Sequence, residues 1–415
     1  MQLRRHPILL FSIQVVFKTE RLVALRPAFF YERLSVKSSE PLPLRLQSPA
    51  LLMPLIAPSR YEPPARLWTG HLQTIIPSLF RKVTVPYVRE RIETPDDDFL
   101  DLDWSFAKNE LGMMNDELAD ATHHSSFITH HLSLKPLVIL SHGLEGSSTS
   151  PYLAGMVRQL TRNGFDCLAW HYRSCSGELN RQQRFYHVGD TSDLHFVVEY
   201  ALQKGYQTLY LMGFSAGANV TLKYLGEQGK AINPAVKRAV AFSVPLDLMG
   251  SSRRLEQWDS LVYNYRFSRT LKRKVLQKAA VMPGVFPTEA VRKARNVREF
   301  DDLFTAPMNG FRDVMDYYTR SSSLQYVPSI AVPTLIVNAK NDPFLSASCF
   351  PEQLARELPN IWMEFPEQGG HCGFPAKDEG VQGVYWSEKR AVEFLKFSPE
   401  FSLETNQSTN QLTGH

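Results

Sequence analysis

The sequence predicts an α/β protein: a mostly parallel central sheet with helices on both faces and a helical cap insertion. Three observations carry this reading. Short apolar runs that read as buried strands alternate with segments of helical periodicity through the middle of the chain. One strand, Leu209–Met212, runs into Gly213-Phe214-Ser215-Ala216-Gly217 and on into a helix. Polar residues able to do chemistry also follow directly on several strands, where open α/β sheets place their sites.

Taken in order, Arg89–Trp104 reads as a hairpin whose second strand, Phe99–Trp104, alternates apolar and polar residues. Its Asp96-Asp97-Asp98 tip is expected to be solvated rather than a cation site. Residues 108–134 are polar and carry His123-His124 and His130-His131 near Asp120. They lack zinc-ligand spacing and read as a surface loop. Lys135–Leu140 is an apolar strand ending in Ser141-His142-Gly143-Leu144-Glu145-Gly146. Helix Tyr152–Asn163, strand Asp166–His171 and helix Thr191–Gln203 follow, the last with Leu194, Val197, Val198, Ala201 and Leu202 at helical spacing. After strand Ala239–Phe242, the stretch Leu255–Arg320 is mostly helical in pattern and rich in aromatic and basic residues. Residues 245–328 are the predicted cap. Most of its aromatics should pack its own core, and those facing Ser215 would form an acyl pocket. Arg266–Lys278 reads foremost as a solvated basic face, with weak contact to an anionic membrane surface as the alternative. Val332–Ala339 and Ile361–Phe365 are the last predicted strands.

The chemistry centres on Ser215. A sharp strand-to-helix turn lifts its hydroxyl from the sheet, and Gly213 and Gly217 let strand and helix approach closely around it. In an α/β-hydrolase the acid and base follow in the order Ser, Asp/Glu, His. Asp342, in the polar turn after strand Val332–Ala339, is the candidate acid. His371, between glycines after strand Ile361–Phe365, is the candidate base. Asp247 is a competing acid. His187 and His195 precede Ser215 and are out of order. The backbone N–H groups of Leu144 and Ala216 are the candidate oxyanion donors. Cys372 beside His371 is read as a packing residue.

With these motifs in hand, the chain resembles the YheT-like branch of the α/β-hydrolases, which includes plant embryogenesis-associated hydrolases and yeast medium-chain fatty-acid ethyl ester synthase/esterases. The carrying segments are Trp68-Thr69-Gly70-His71-Leu72-Gln73-Thr74, His142–Ser148, His171-Tyr172-Arg173-Ser174-Cys175-Ser176-Gly177-Glu178 and the elbow Gly213–Asn219. They span roughly Tyr61 to Leu395. That branch commonly has Leu-Gly-Gly after the serine; this chain has Ala216-Gly217-Ala218, a change that bears on substrate range rather than on the triad. The resemblance implies hydrolysis of carboxylic esters with short to medium acyl chains, and acylglycerols are among the candidate substrates. Passing the acyl group to an alcohol, or binding without catalysis, are the alternatives.

Composition sets the limits. At 415 residues one α/β domain with insertions accounts for the length, here residues 53–400. Residues 1–52 form an N-terminal extension and 401–415 a polar tail. A formal charge of +4, without a stripe of interleaved aromatics, argues against nucleic acid as partner. The four cysteines, Cys167, Cys175, Cys349 and Cys372, show no C-x-x-C spacing, so neither a metal site nor a disulfide framework is expected. No cofactor is required, and the expected partner is a small-molecule ester. Cytoplasmic location is the default; the basic, acid-poor start leaves an organellar presequence open as the alternative.

Overall fold

The computed structural model describes residues 55–107 and 134–396. The extension, the paired histidines and the C-terminal tail lie outside them. Nine strands form one sheet in the order β1-β9-β8-β7-β6-β4-β5-β3-β2. They are β1 Leu55–Ile56, β2 Val88–Glu93, β3 Phe99–Ser105, β4 Leu137–Ser141, β5 Asp166–Trp170, β6 Leu209–Phe214, β7 Val236–Phe242, β8 Thr334–Val337 and β9 Ile361–Glu364. The pairings β2·β3 and β3·β5 are antiparallel and the others parallel. From β5 the chain crosses back over β4, so β6 and its turn lie on the far side of β4.

Central strands are apolar throughout because both faces are covered. In β4, Leu137 and Ile139 join one core while Val138 and Leu140 join the other. The first core is closed by α3 (Ser192–Gln203) and α4 (Ala216–Gln228) through Val197, Val198, Val220 and Leu222. The second is closed by α2 (Pro151–Arg162) and the C-terminal helix Trp386–Lys396 through Leu153, Val157, Ala391 and Leu395. An earlier helix, α1 (Gly70–Phe80), starts at Thr69, whose hydroxyl accepts the Leu72 N–H. Between β7 and β8 lies a helical insertion with α5 (Leu248–Leu255), α6 (Leu261–Val281) and shorter helices up to Val314–Ser321.

The hairpin forms as expected, with Glu93 opposite Phe99, but β3 is buried at every position rather than on alternate ones. Its carboxylates are matched: Arg91 Nε donates to Asp101 at 2.7 Å and Arg89 Nε to Asp103 at 2.7 Å. The hairpin tip also departs from expectation. Asp98 is fully buried and accepts from Arg173 Nη1 (2.8 Å), Asn180 Nδ2 (2.6 Å) and the Arg181 N–H (2.7 Å). Those partners lie about 80 residues away in sequence, beyond the reach of local patterning.

Burial by itself would raise the pKa of Asp98, Asp101 and Asp103, yet these hydrogen bonds and cations outweigh it and hold all three below the ordinary 3.8. A depressed carboxylate contributes stability that is complete above its unfolded pKa and is lost as pH falls through its folded one. The urea midpoint is therefore expected to fall steeply below about pH 4 and less steeply in Asp98→Asn. An identical acid slope in the variant would contradict this.

Candidate active site

Ser215 sits between β6 and α4 with φ 54° and ψ −120°, a strained conformation for a residue with a side chain. Close packing enforces it. A Cβ on Gly217 would lie 2.3 Å from the Ser141 carbonyl oxygen, and one on Gly213 would lie 2.4 Å from the Gly217 oxygen. The start of α4 thus rests directly on the end of β4, which pairs with β6 through Ser141 and Gly213.

The structure brings the three predicted side chains together. The Ser215 hydroxyl donates to His371 Nε2 at 2.8 Å. His371 Nδ1–H donates to Asp342 Oδ2 at 2.8 Å, the tautomer this network requires. Asp342 is buried, and its Oδ1 also accepts the Phe344 N–H at 2.8 Å, which fixes the carboxylate plane. Phe344 packs on the His371 ring at 4.0 Å between centroids, tilted by 32°. Burial disfavours a charged imidazole here, but the adjacent Asp342 carboxylate outweighs it and shifts His371 upward. Asp247 is not part of this cluster. It caps α5 by accepting the Gly250 N–H and also accepts from Ser348 Oγ. His195 bonds Tyr224, while His187 lies on the cavity wall and burial lowers its pKa to about 4. Cys372 packs against the second core, and its N–H donates to Ser243 Oγ at 2.8 Å.

Leu144 and Ala216 both line the cavity beside Ser215. The Gly143 carbonyl, at the other end of the Leu144 peptide, accepts from the Gly146 N–H (2.9 Å) and from His142 Nδ1 (2.7 Å). Because a trans peptide points its C=O and N–H in opposite directions, these bonds fix the Leu144 N–H. Burial lowers the pKa of His142 to about 3 and keeps the ring neutral, which leaves its second nitrogen free to accept. Its Nε2 accepts the Tyr172 N–H at 3.3 Å.

Sequence reading did not assign a task to Gly70-His71-Leu72-Gln73-Thr74; the structure does. Gln73 Oε1 accepts the Gly369 N–H (2.7 Å) and Asn341 Nδ2–H (3.0 Å), linking the loops that carry His371 and Asp342. Thr74 Oγ1 accepts the His371 N–H at 2.9 Å. A Cβ on Gly70 would lie 1.8 Å from the Asn341 oxygen, so only glycine lets α1 approach this closely. The local clue was a glycine and polar side chains at a helix start; the partners of Gln73 and Thr74 are nearly 300 residues away.

Above Ser215 opens a cavity walled by residues of the helical insertion and of the loop 185–188. Phe267, Phe300, Phe304, Tyr317, Tyr318 and Phe344 contribute its aromatic lining. Of these, Phe300 and Phe304 belong at once to the insertion's own small core, and Tyr317 and Tyr318 to a second one. Trp258 and Tyr265 instead face solvent. One wall is polar: Glu145, on the turn after Leu144, accepts from Lys274 Nζ (2.6 Å) and from the Tyr186 hydroxyl (2.9 Å). Among the described residues, no group of three or more His, Cys, Asp or Glu could hold a metal ion, and no helix is long and apolar enough to cross a membrane.

A serine on a strand-to-helix elbow, backed in chain order by Asp342 and His371, is the site plan of the α/β-hydrolases. The model of that family, described as the alpha/beta hydrolase fold, matches residues 136–378, and the chain belongs to it. It is 36% identical over 330 residues to YheT of Escherichia coli (strain K12), an esterase by name, with 78% of this chain and 89% of that one covered. Phospholipase ABHD3 of Mus musculus is 31% identical over 320 residues, covering 76% and 73%. Medium-chain fatty acid ethyl ester synthase/esterase 2 of Saccharomyces cerevisiae (strain ATCC 204508 / S288c) is 28% identical over 285 residues, covering 63% and 62%.

The Thr74 contact yields a direct test. Thr74→Val removes the acceptor for the buried His371 N–H and is expected to cost roughly 1–3 kcal/mol of stability. Thr74→Ser should restore most of it. Equal urea midpoints for wild type and Thr74→Val would contradict the assignment.

Proposed function

We propose that the protein is a serine hydrolase of carboxylic esters, working through an acyl-enzyme. The observation that carries this is the continuous hydrogen-bonded line from Ser215 through His371 to Asp342. In this reading Ser215 Oγ attacks the ester carbonyl carbon while its proton passes to His371 Nε2. The Leu144 and Ala216 N–H groups take the charge that develops on the carbonyl oxygen, at the positive end of α4. The tetrahedral species then collapses, the C–O bond to the alcohol breaks, and His371 gives its proton to the departing oxygen. Water, deprotonated by His371, attacks the acyl carbon next and releases the acid and free Ser215. The Asp342 carboxylate holds the His371 tautomer and stabilises the imidazolium.

The substrate side rests on the cavity. A chamber lined by Phe267, Phe300, Phe304 and Phe344 suits an apolar acyl group of short to medium length, with residues 245–328 serving as the cap that excludes water. The polar wall of Glu145, Tyr186 and Lys274 suits an alcohol portion with hydroxyls, such as an acylglycerol. Relatives named phospholipase and fatty acid ethyl ester synthase/esterase are in keeping with acyl esters of this kind.

Hydrolysis of p-nitrophenyl esters of graded chain length tests the reading. Wild type should turn over, with an optimum at short to medium chains, and Ser215→Ala should not. Turnover retained in the variant, or absent from folded wild type at every length, would contradict it. The acid limb of kcat/KM is expected above the ordinary histidine value of 6.5, since the base must be neutral and Asp342 raises its pKa. Asp342→Asn removes that carboxylate. It should move the limb to lower pH and cut kcat by about 10⁴-fold. A limb that stays in place would show that Asp342 does not act on His371.

A further inference from the structure

The helix that roofs the cavity has two dissimilar sides. On α6, Phe267, Leu271, Lys274 and Val275 line the cavity. On the opposite side Arg266, Arg269 and Arg273 are exposed, within ~60° of one another on the helical wheel. The 21-residue helix contains no Asp or Glu. Its lysines turn inward: Lys272 Nζ donates to the Ala294 oxygen, Lys274 Nζ to Glu145, and Lys278 Nζ to Asn180. Elsewhere in the insertion, arginines find carboxylates, as Arg254 does in Asp259, Arg295 in Glu299 and Arg298 in Glu256. The three outward arginines of α6 form no such ion pair among the described residues.

Large apolar side chains are exposed at the start of the same helix. Trp258 is 53% exposed, Leu261 51% and Tyr265 60%. Trp68, also 53% exposed, stands three residues before His71, whose ring meets Tyr263 and Asp259. Unpaired cations beside exposed tryptophan, tyrosine and leucine are the composition of a lipid interface. Arginines meet headgroup phosphates, and amphipathic rings settle among the headgroups. A nucleic-acid backbone would engage the arginines but leave Trp258 and Leu261 in water.

We propose that the outer face of α6, with Trp258, Leu261 and Tyr265, docks on an anionic lipid bilayer. The roof of the cavity then lies against the surface. If the esterase reading holds, its acyl-ester substrate is drawn from that surface; the docking itself does not depend on that reading.

The test uses the full chain and co-sedimentation with vesicles of phosphatidylcholine alone or mixed with phosphatidylglycerol. Wild type is expected to bind the mixed vesicles, more weakly as salt rises, and to bind phosphatidylcholine poorly. The triple variant Arg266→Gln/Arg269→Gln/Arg273→Gln should bind the mixed vesicles roughly a hundredfold more weakly. Leu261→Ser/Tyr265→Ser should lose the binding that survives high salt. Soluble p-nitrophenyl ester turnover and circular dichroism melting should match wild type in both variants, which separates a failure of docking from a failure of the esterase reading. Equal binding to both vesicle types, or undiminished binding by the triple variant, would overturn the proposal.

Discussion

The contact between the start of α4 and the end of β4 is the constraint on which the rest of the site depends. With Gly217 against the Ser141 and His142 carbonyl oxygens, no side chain fits between helix and strand. The helix can begin only where it does, and the turn before it is forced into the strained conformation that lifts Ser215 from the sheet. The same approach brings the Gly143 turn against the serine, where a Cβ on Gly143 would lie 3.2 Å from Ser215 Cβ. Ser215 and both candidate oxyanion amides are thereby set by backbone packing rather than by flexible side chains. Such preorganisation is what makes electrostatic stabilisation effective.

A second clamp holds the other half of the site. Asp342 and His371 stand on separate loops after β8 and β9, and neither strand alone fixes their spacing. The start of α1 does so from outside the sheet. Gln73 bridges the Asn341 and Gly369 segments, and Thr74 holds the His371 backbone. Buried amide and hydroxyl groups of this kind are costly unless satisfied, so once satisfied they specify one arrangement of the loops. The aromatic chamber above is built differently. Its rings also pack the insertion's own small cores, so the shape of the cavity is tied to the folding of the segment that encloses it.

Much of this was legible in the sequence, for a physical reason. Buried parallel strands must be apolar on both faces, so they stand out, and a polar residue after such a run falls at the sheet's functional edge. That logic points to Ser215, Asp342 and His371 from one chain, and several predicted elements lie within a residue or two of their limits. However, β7 begins at Val236 rather than Ala239, and the helices Gly70–Phe80 and Trp386–Lys396 were not foreseen. What stayed hidden depends on partners far away in sequence. Asp98 reads as a solvated hairpin acid until Arg173 and Asn180 are folded onto it. Phe99–Ser105 alternates like a half-exposed strand until Arg89 and Arg91 neutralise its carboxylates. Asp247 follows a strand as plausibly as Asp342 does, and only the fold turns it into a helix cap. The division of α6 into an engaged lysine side and an unpaired arginine side is likewise invisible without the cavity.

The central claim is that Ser215 is the activated nucleophile, and covalent trapping tests it most directly. The protein would be treated with a fluorophosphonate probe and digested, and the labelled peptide identified by mass spectrometry. The account predicts one label per chain, on Ser215 within the Gly213–Asn219 segment, and much slower labelling when His371 is replaced by alanine. A label on Cys372 or another residue, or no label on a protein that still hydrolyses esters, would contradict it.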